Sequence, residues 1–157
     1  MNNKNNPSVN IGVAIFLISP DYKSILLGKR KVGSLYSQPG GWCELYEEWE
    51  ECASRELYEE CNLNITKERF QHIKTINNID IENRLHVVVT EFICLIKEHE
   101  MENIKNNEPD KSDDWFWADM EFINKNIERL FLPLRKFVNM VKLRNISDFK
   151  EMVDCNR

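Results

Sequence analysis

The chain predicts a layered α/β or α+β domain in which a mixed β-sheet lies between helices. Three observations carry this. Apolar, β-branched runs of strand length recur early and late, one strongly amphipathic helical pattern stands between them, and a second helical pattern follows a proline near the C-terminus. At 157 residues the chain is long enough for one domain with a proper core. It shows no internal repeat and no boundary of a second domain.

Taken in order, residues 1–8 are asparagine-rich, polar and interrupted by Pro7, the composition of a disordered tail. Residues 9–19 read as a buried strand. Pro20-Asp21-Tyr22-Lys23 turns it back into Ser24-Ile25-Leu26-Leu27-Gly28, which ends in three cations, Lys29, Arg30 and Lys31. Residues 32–38 form a short loop. Pro39-Gly40-Gly41 then turns into a segment whose helix runs for about four turns. Residues 70–77 and 85–96 are strands joined by a polar turn at 78–83. Along the second, Val87, Val89, Glu91 and Ile93 share a face, leaving Glu91 to point either to water or into the cleft. His72 and His86 lack metal-ligand spacing and read as ordinary strand residues. The hydrophilic stretch 97–114 is a loop long enough to suggest function. Asp114-Trp115-Phe116-Trp117-Ala118 returns as a strand, 120–126 as a short helical turn, and Pro133 suits the first turn of a helix running to about residue 144. Residues 145–157 are a tail or a further short helix.

The central helix holds the chemistry. At about 100° per residue, Trp49, Cys52, Ala53 and Leu57 form one apolar stripe, with Glu47, Glu51 and Ser54 opposite. Glu56 and Glu60, one turn apart, fall inside the apolar stripe. Two carboxylates on a half-buried face repel each other and resist desolvation unless a cation compensates them. Arg55 points elsewhere, toward Glu51 and Glu59, so it is poorly placed to neutralise both. A hard, oxygen-liganded divalent ion, foremost Mg²⁺, resolves the conflict.

Gly41, Glu47, Arg55, Glu56, Leu57, Glu59, Glu60 and Leu63 resemble the Nudix box, G-x5-E-x7-R-E-U-x-E-E-x-G-U with U aliphatic, at eight of its nine defined positions. The departure is Asn62 in place of glycine. Asparagine is the next-best residue for the left-handed cap that glycine would supply. The resemblance implies an α/β/α sandwich with a mixed sheet between helices, a Nudix hydrolase domain over residues 9–144, and water attack on a phosphoanhydride bond of a nucleoside diphosphate linked to a group X.

It also implies roles. Glu56 and Glu60 are metal ligands for Mg²⁺, with Mn²⁺ as a substitute, joined by the Gly40 carbonyl and by Glu59 as third ligand or water base. Glu59 and Glu60 compete for the role of general base. Arg55 pairs with Glu47 to hold the loop against the helix. Glu108, in the long loop, is a further candidate ligand or base.

Leu26-Leu27-Gly28-Lys29-Arg30-Lys31, Gln38-Pro39-Gly40-Gly41, Asn107-Glu108-Pro109-Asp110-Lys111 and Leu130-Phe131-Leu132-Pro133-Leu134-Arg135 resemble the MutT-like branch of short nucleotide diphosphatases, nearest to those acting on purine and thiopurine nucleoside triphosphates. Lys29 and Arg30 then read as a phosphate clamp or as a solvated strand end. Phe131 reads as an aromatic platform for the base or as plain core, and Gly41, Gln38 and Leu132 as further substrate contacts. Leu132 stands where the branch commonly has tryptophan, and Gln38 where an apolar residue is usual.

The expected reaction takes a ribo- or deoxyribonucleoside triphosphate to the monophosphate and pyrophosphate, as in nucleotide-pool sanitation. The alternatives are a nucleotide sugar, a dinucleoside polyphosphate or capped RNA as substrate, or a non-catalytic nucleotide- or protein-binding module. Net charge −5, from 26 acidic and 21 basic residues, argues against a general nucleic-acid surface. Five cysteines without zinc spacing read as reduced thiols, and the longest apolar run is too short to cross a bilayer. A soluble cytoplasmic or nuclear protein follows. Its expected partner is a small-molecule nucleotide, and homodimers are common in the resembling branch; the strand at 85–96 is the candidate edge for such an interface.

Overall fold

A computed structural model describes residues 8–82 and 84–154. The tail expected at 1–8 therefore lies, but for Ser8, outside the described residues. Seven strands form one mixed sheet: β1 (Asn10–Ile18), β2 (Ser24–Lys29), β3 (Tyr36–Ser37), β4 (Gly40–Trp42), β5 (Gln71–Asp80), β6 (Leu85–Leu95) and β7 (Phe116–Asp119). The helices are α1 (Trp49–Cys61), α2 (Glu98–Met101), α3 (Met120–Lys125), α4 (Leu132–Val141) and α5 (Asp148–Asp154).

The main path of the sheet is β3-β2-β1-β6-β5, with β4 added on β1 and β7 on β2. β1 is its centre: it runs parallel to β6 in an unbroken register from Asn10–Val87 to Ile18–Leu95, and antiparallel to β2 and β4. Both faces of β1 are covered, which is why it reads as a continuous apolar run rather than an alternating one. Val13, Ile15 and Leu17 pack with Cys52, Ala53, Leu57 and Cys61 of α1. Phe16 and Ile18 point the other way, to Phe137 of α4 and Phe149 of α5. The α/β class with a mixed sheet between helices is thus what the chain adopts.

Several expectations need correction. β6 is not an edge strand: it lies between β1 and β5, so the edge belongs to β5 and the interface suggested at 85–96 has no free strand to offer. Two short strands, β3 and β4, occupy what reads as loop and turn. Their two or three residues are too few to carry a period. Of the tail or short helix expected at 145–157, Asp148–Asp154 is the short helix α5 and residues 155–157 lie outside the described residues; Phe149 is fully buried against Phe16 and Phe137. Among the described residues, no helix is long and apolar enough to cross a membrane.

Candidate active site

α1 starts with a capping box between Glu48 and Glu51 and ends at Asn62, which adopts the left-handed conformation (φ 60°, ψ 27°) and closes the last turn through its N–H to Leu57 and Tyr58. This is the cap that Asn62 in place of glycine was expected to provide. Two more carbonyls near that end, and Tyr58 O a second time, are satisfied from the long loop. Lys105 N donates to Cys61 O, Asn107 N and Trp115 Nε1 to Glu60 O, and Asn107 Nδ2 to Tyr58 O. These bonds pin residues 105–115 against the helix end and answer orphan groups that a helix terminus always leaves.

Buried Cys52, Ala53, Leu57 and Cys61 fix the rotation of α1 against β1. Trp49 does not share that burial; at 41% exposed it stands outside the expected stripe, at the solvent end of the first turn. The rotation aims Glu56 and Glu60 at the β4 strand. Gly40 N donates to Glu60 Oε2 at 2.9 Å. A Cβ on Gly41 would collide with the Glu56 carboxyl, and one on Gly40 (φ +154°) with the Val13 backbone. Gly40 is needed because its positive φ and the Val13 backbone leave no room for a side chain, whereas one at Gly41 would displace the Glu56 carboxyl.

Arg55 is the hub of the exposed side. Its Nε and Nη2 reach both oxygens of Glu47 at 2.7 and 3.0 Å, Nη2 also donates to the Trp42 carbonyl, and Nη1 bonds Glu56 at 2.9 Å and Glu59 at 3.1 Å. The fork holds the Glu47 carboxyl down at about 2. Two sequence expectations change here. Arg55 does not meet Glu51, which pairs with Lys67, and it does compensate Glu56. Glu60 is left to Gly40. Burial pushes its carboxyl up to about 8, opposed by the Gly40 amide and reinforced by Glu56 and Glu108. Burial also raises Glu56, against the pull of Arg55.

The loop supplies two charges that bear on this cluster. Glu108 raises Glu60 and Glu56, and Lys111, whose Nζ binds Glu108 at 2.6 Å, opposes that effect at Glu60. Lys111 was missed in the sequence; its only signal was the i, i+3 spacing to Glu108 within a hydrophilic loop.

The remaining candidates lie beyond the glycine strand. Lys29 ends β2, half-buried, and Lys31 is taken up by Asp113. The Arg30 guanidinium lies 4.4 Å over the Phe131 ring. Phe131, tied by its N–H to the Tyr36 carbonyl, precedes α4, and Leu132 opens that helix; both are half-buried. Gln38 is buried and donates from Nε2 to Glu91 Oε2 at 2.8 Å. Of the two directions open to Glu91, water is excluded: its side chain is fully buried.

The donor chemistry fits a hard divalent cation: two desolvated carboxylates flank backbone of the glycine strand, and the adjacent guanidinium serves only one of them. Among the described residues, no three His, Cys, Asp or Glu side chains are gathered at metal-ligating spacing. Glu56 is turned to Arg55 and Glu60 to Gly40 instead.

Known proteins share the domain and the fold. The family model of the NUDIX domain matches residues 9–139. A MutT NUDIX hydrolase from Burkholderia pseudomallei superposes with a TM-score of 0.63 at 23% identity, covering 80% of this chain and 89% of that one. An Ap4A hydrolase from C. elegans gives 0.63 at 15% identity, over 85% and 95%. A bifunctional NMN adenylyltransferase/ADP ribose pyrophosphatase from Francisella tularensis, complexed with AMP and Mn ion, gives 0.67 at 22% identity. There the match covers 86% of this chain but only 42% of the longer one.

Proposed function

The chain belongs to the Nudix hydrolase family, and from that premise we propose that it is a Mg²⁺-dependent pyrophosphohydrolase of the MutT-like branch, converting nucleoside triphosphates to monophosphate and pyrophosphate. The observation that carries this is the Glu56–Glu60 pair: half-buried carboxylates under the glycine strand, with Arg55 compensating only the first. A module that merely binds would have no use for so strained a charge arrangement.

Glu56 and Glu60, with the Gly40 carbonyl and Glu59, are the residues that would hold the ion. When bound, Mg²⁺ (or Mn²⁺) neutralises phosphate oxygens and makes water more acidic. The rest of the work belongs to the chain. Arg55, locked between Glu47 and Trp42 O, keeps the loop before α1 against the helix, so the glycine strand and the carboxylates hold their spacing. Gly41 lets a phosphate approach the backbone closely. A basic carboxylate must accept the proton of the attacking water: Glu59, half-exposed, and Glu60, half-buried, compete for that task, with Glu108 poised in the loop. Lys29 and Arg30 sit at the end of β2, where they can meet the leaving phosphates, and Phe131, with the Arg30 guanidinium over its ring, is the aromatic candidate for the base.

A second reading keeps the same chemistry and changes X to a sugar or a second nucleoside. The likeness to the ADP ribose pyrophosphatase and Ap4A hydrolase chains supports it. Product analysis separates the two: nucleoside triphosphates, nucleotide sugars and dinucleoside polyphosphates are incubated with Mg²⁺ and with EDTA. Metal-dependent pyrophosphate release from triphosphates is the expected result. Turnover of sugars or dinucleotides alone would transfer the function to the second reading, and no turnover of any substrate would sink both.

A further inference from the structure

Among the described residues, two buried side-chain polar atoms have no hydrogen-bond partner, and one of them is Glu91 Oε1. The other oxygen of that carboxyl is taken by Gln38 Nε2 at 2.8 Å. A buried polar atom left unpaired is costly, so a partner is implied.

Its position says what kind. Ala14 on β1 is the register partner of both Gly40 on β4 and Glu91 on β6, which puts Glu91 two strand spacings, about 10 Å, from the strand that faces the carboxylates. Gln38 precedes Gly40 by two residues. By strand alternation Glu91 shares its face with Val89 and Ile93, turned away from α1, where Val87, Val89 and Ala14 form a small apolar group of their own. A nucleotide with its phosphates at Gly40–Gly41 thus has this polar pair within reach of its other end.

We propose that Gln38 and Glu91 form the hydrogen-bonding floor of the base subsite, with Glu91 Oε1 donating to a carbonyl oxygen on the base edge and so favouring oxo over amino bases. The inference rests on the hydrolase reading above. The donor direction follows from chemistry. The carboxyl is fully buried with no cation paired to it among the described residues, and burial holds it well above the usual carboxylate range, which favours its protonated form. With Oε2 accepting from Gln38, the proton resides on Oε1. An O–H there pairs with a carbonyl oxygen and is mismatched against an amino group. Gln38, slightly exposed where Glu91 is sealed, is the member of the pair that a base meets first.

Three proteins test this: wild type, Glu91→Gln, and the double variant Gln38→Leu, Glu91→Leu, which removes both polar partners together and so leaves neither orphaned. Each is assayed on GTP and ATP, and calorimetry measures the Kd of GMP and AMP, which needs no turnover. Glutamine can accept from Gln38 through its oxygen and donate through its amide, so Glu91→Gln keeps the wild-type ratio. The double variant loses about tenfold of the oxo preference, seen in KM and in the monophosphate Kd. A wild-type ratio in the double variant, with thermal unfolding confirming the fold, overturns the proposal and assigns the orphan oxygen to a buried water. If wild type hydrolyses no triphosphate but the double variant still flattens the GMP/AMP ratio, the subsite stands and the reaction falls.

Discussion

The two faces of the sheet handle polar groups in opposite ways. On the α1 side the charges are many and linked: Arg55 alone joins Glu47, Glu56, Glu59 and the Trp42 carbonyl, and Glu60 answers to Gly40. On the opposite side the pair Gln38 and Glu91 is set among apolar residues and has one oxygen to spare. The first arrangement stores charge repulsion that a cation can relieve. The second stores an unmet hydrogen bond that a neutral ligand can complete. Chemistry and choice of substrate are thus built from different physical deficits, and each should respond to different perturbations.

The largest expected effect is on the charged face. Glu60→Gln removes the uncompensated carboxylate without changing its size, and turnover should fall by about 10³-fold or more, while monophosphate binding and the oxo/amino ratio stay as in wild type. Steady-state kinetics beside calorimetry would check this; a collapse of the ratio as well would break the division between faces. On the far side of the core, Phe149→Ala should cost about 3–5 kcal/mol because Phe149 is fully buried against Phe16 and Phe137. Denaturant titration measures it, and a loss below 1 kcal/mol would exclude α5 from the domain core.

Arg55→Ala should destabilise by about 3 kcal/mol, since Glu47 and Glu56 would both lose their partner, and it should also lower activity by loosening the loop. The pH profile of the metal-free protein sharpens the same contrast. Glu47, held at about 2 against its usual 4.5, contributes stability that is present above pH 4.5 and lost as pH falls toward 2. Glu60, raised to about 8, has the opposite sign: the folded state binds the proton more tightly, so stability falls as pH rises from 4.5 to 8. Thermal unfolding between pH 5 and 8 should show that decline, and Glu60→Gln should flatten it. The smallest effect is at the cap, where Asn62→Ala should cost about 1 kcal/mol and leave kinetics unchanged.

How legible each face was in the sequence follows from the same difference. The spacing of Glu47, Arg55, Glu56, Glu59 and Glu60 is set by one helix and one turn, so it can be read from a single local pattern. Even so, what Arg55 touches was misjudged in part: beside the expected Glu47 and Glu59 its guanidinium also reaches Glu56, because helix-wheel geometry places a Cα and not the far end of a long side chain. The Gln38–Glu91 pair joins residues 53 positions apart across three strands, and nothing local announces it. The misassigned edge has the same origin. Periodicity shows that residues 85–96 form a strand, but only the parallel pairing of β6 with β1, brought about by an intervening crossover, decides that it is internal. Lys111 was lost because its approach to the carboxylates depends on how the loop docks on the end of α1.

If Glu56 and Glu60 are held in a state that a divalent cation relieves, the ion must stabilise the fold. The direct test is thermal unfolding of wild type and Glu60→Gln at pH 8, each with EDTA and with Mg²⁺ titrated in. Saturating Mg²⁺ should stabilise wild type, by about 2.7 kcal/mol at a hundredfold excess over Kd, and leave Glu60→Gln unmoved. Equal stabilisation of both proteins, or of neither, would contradict it.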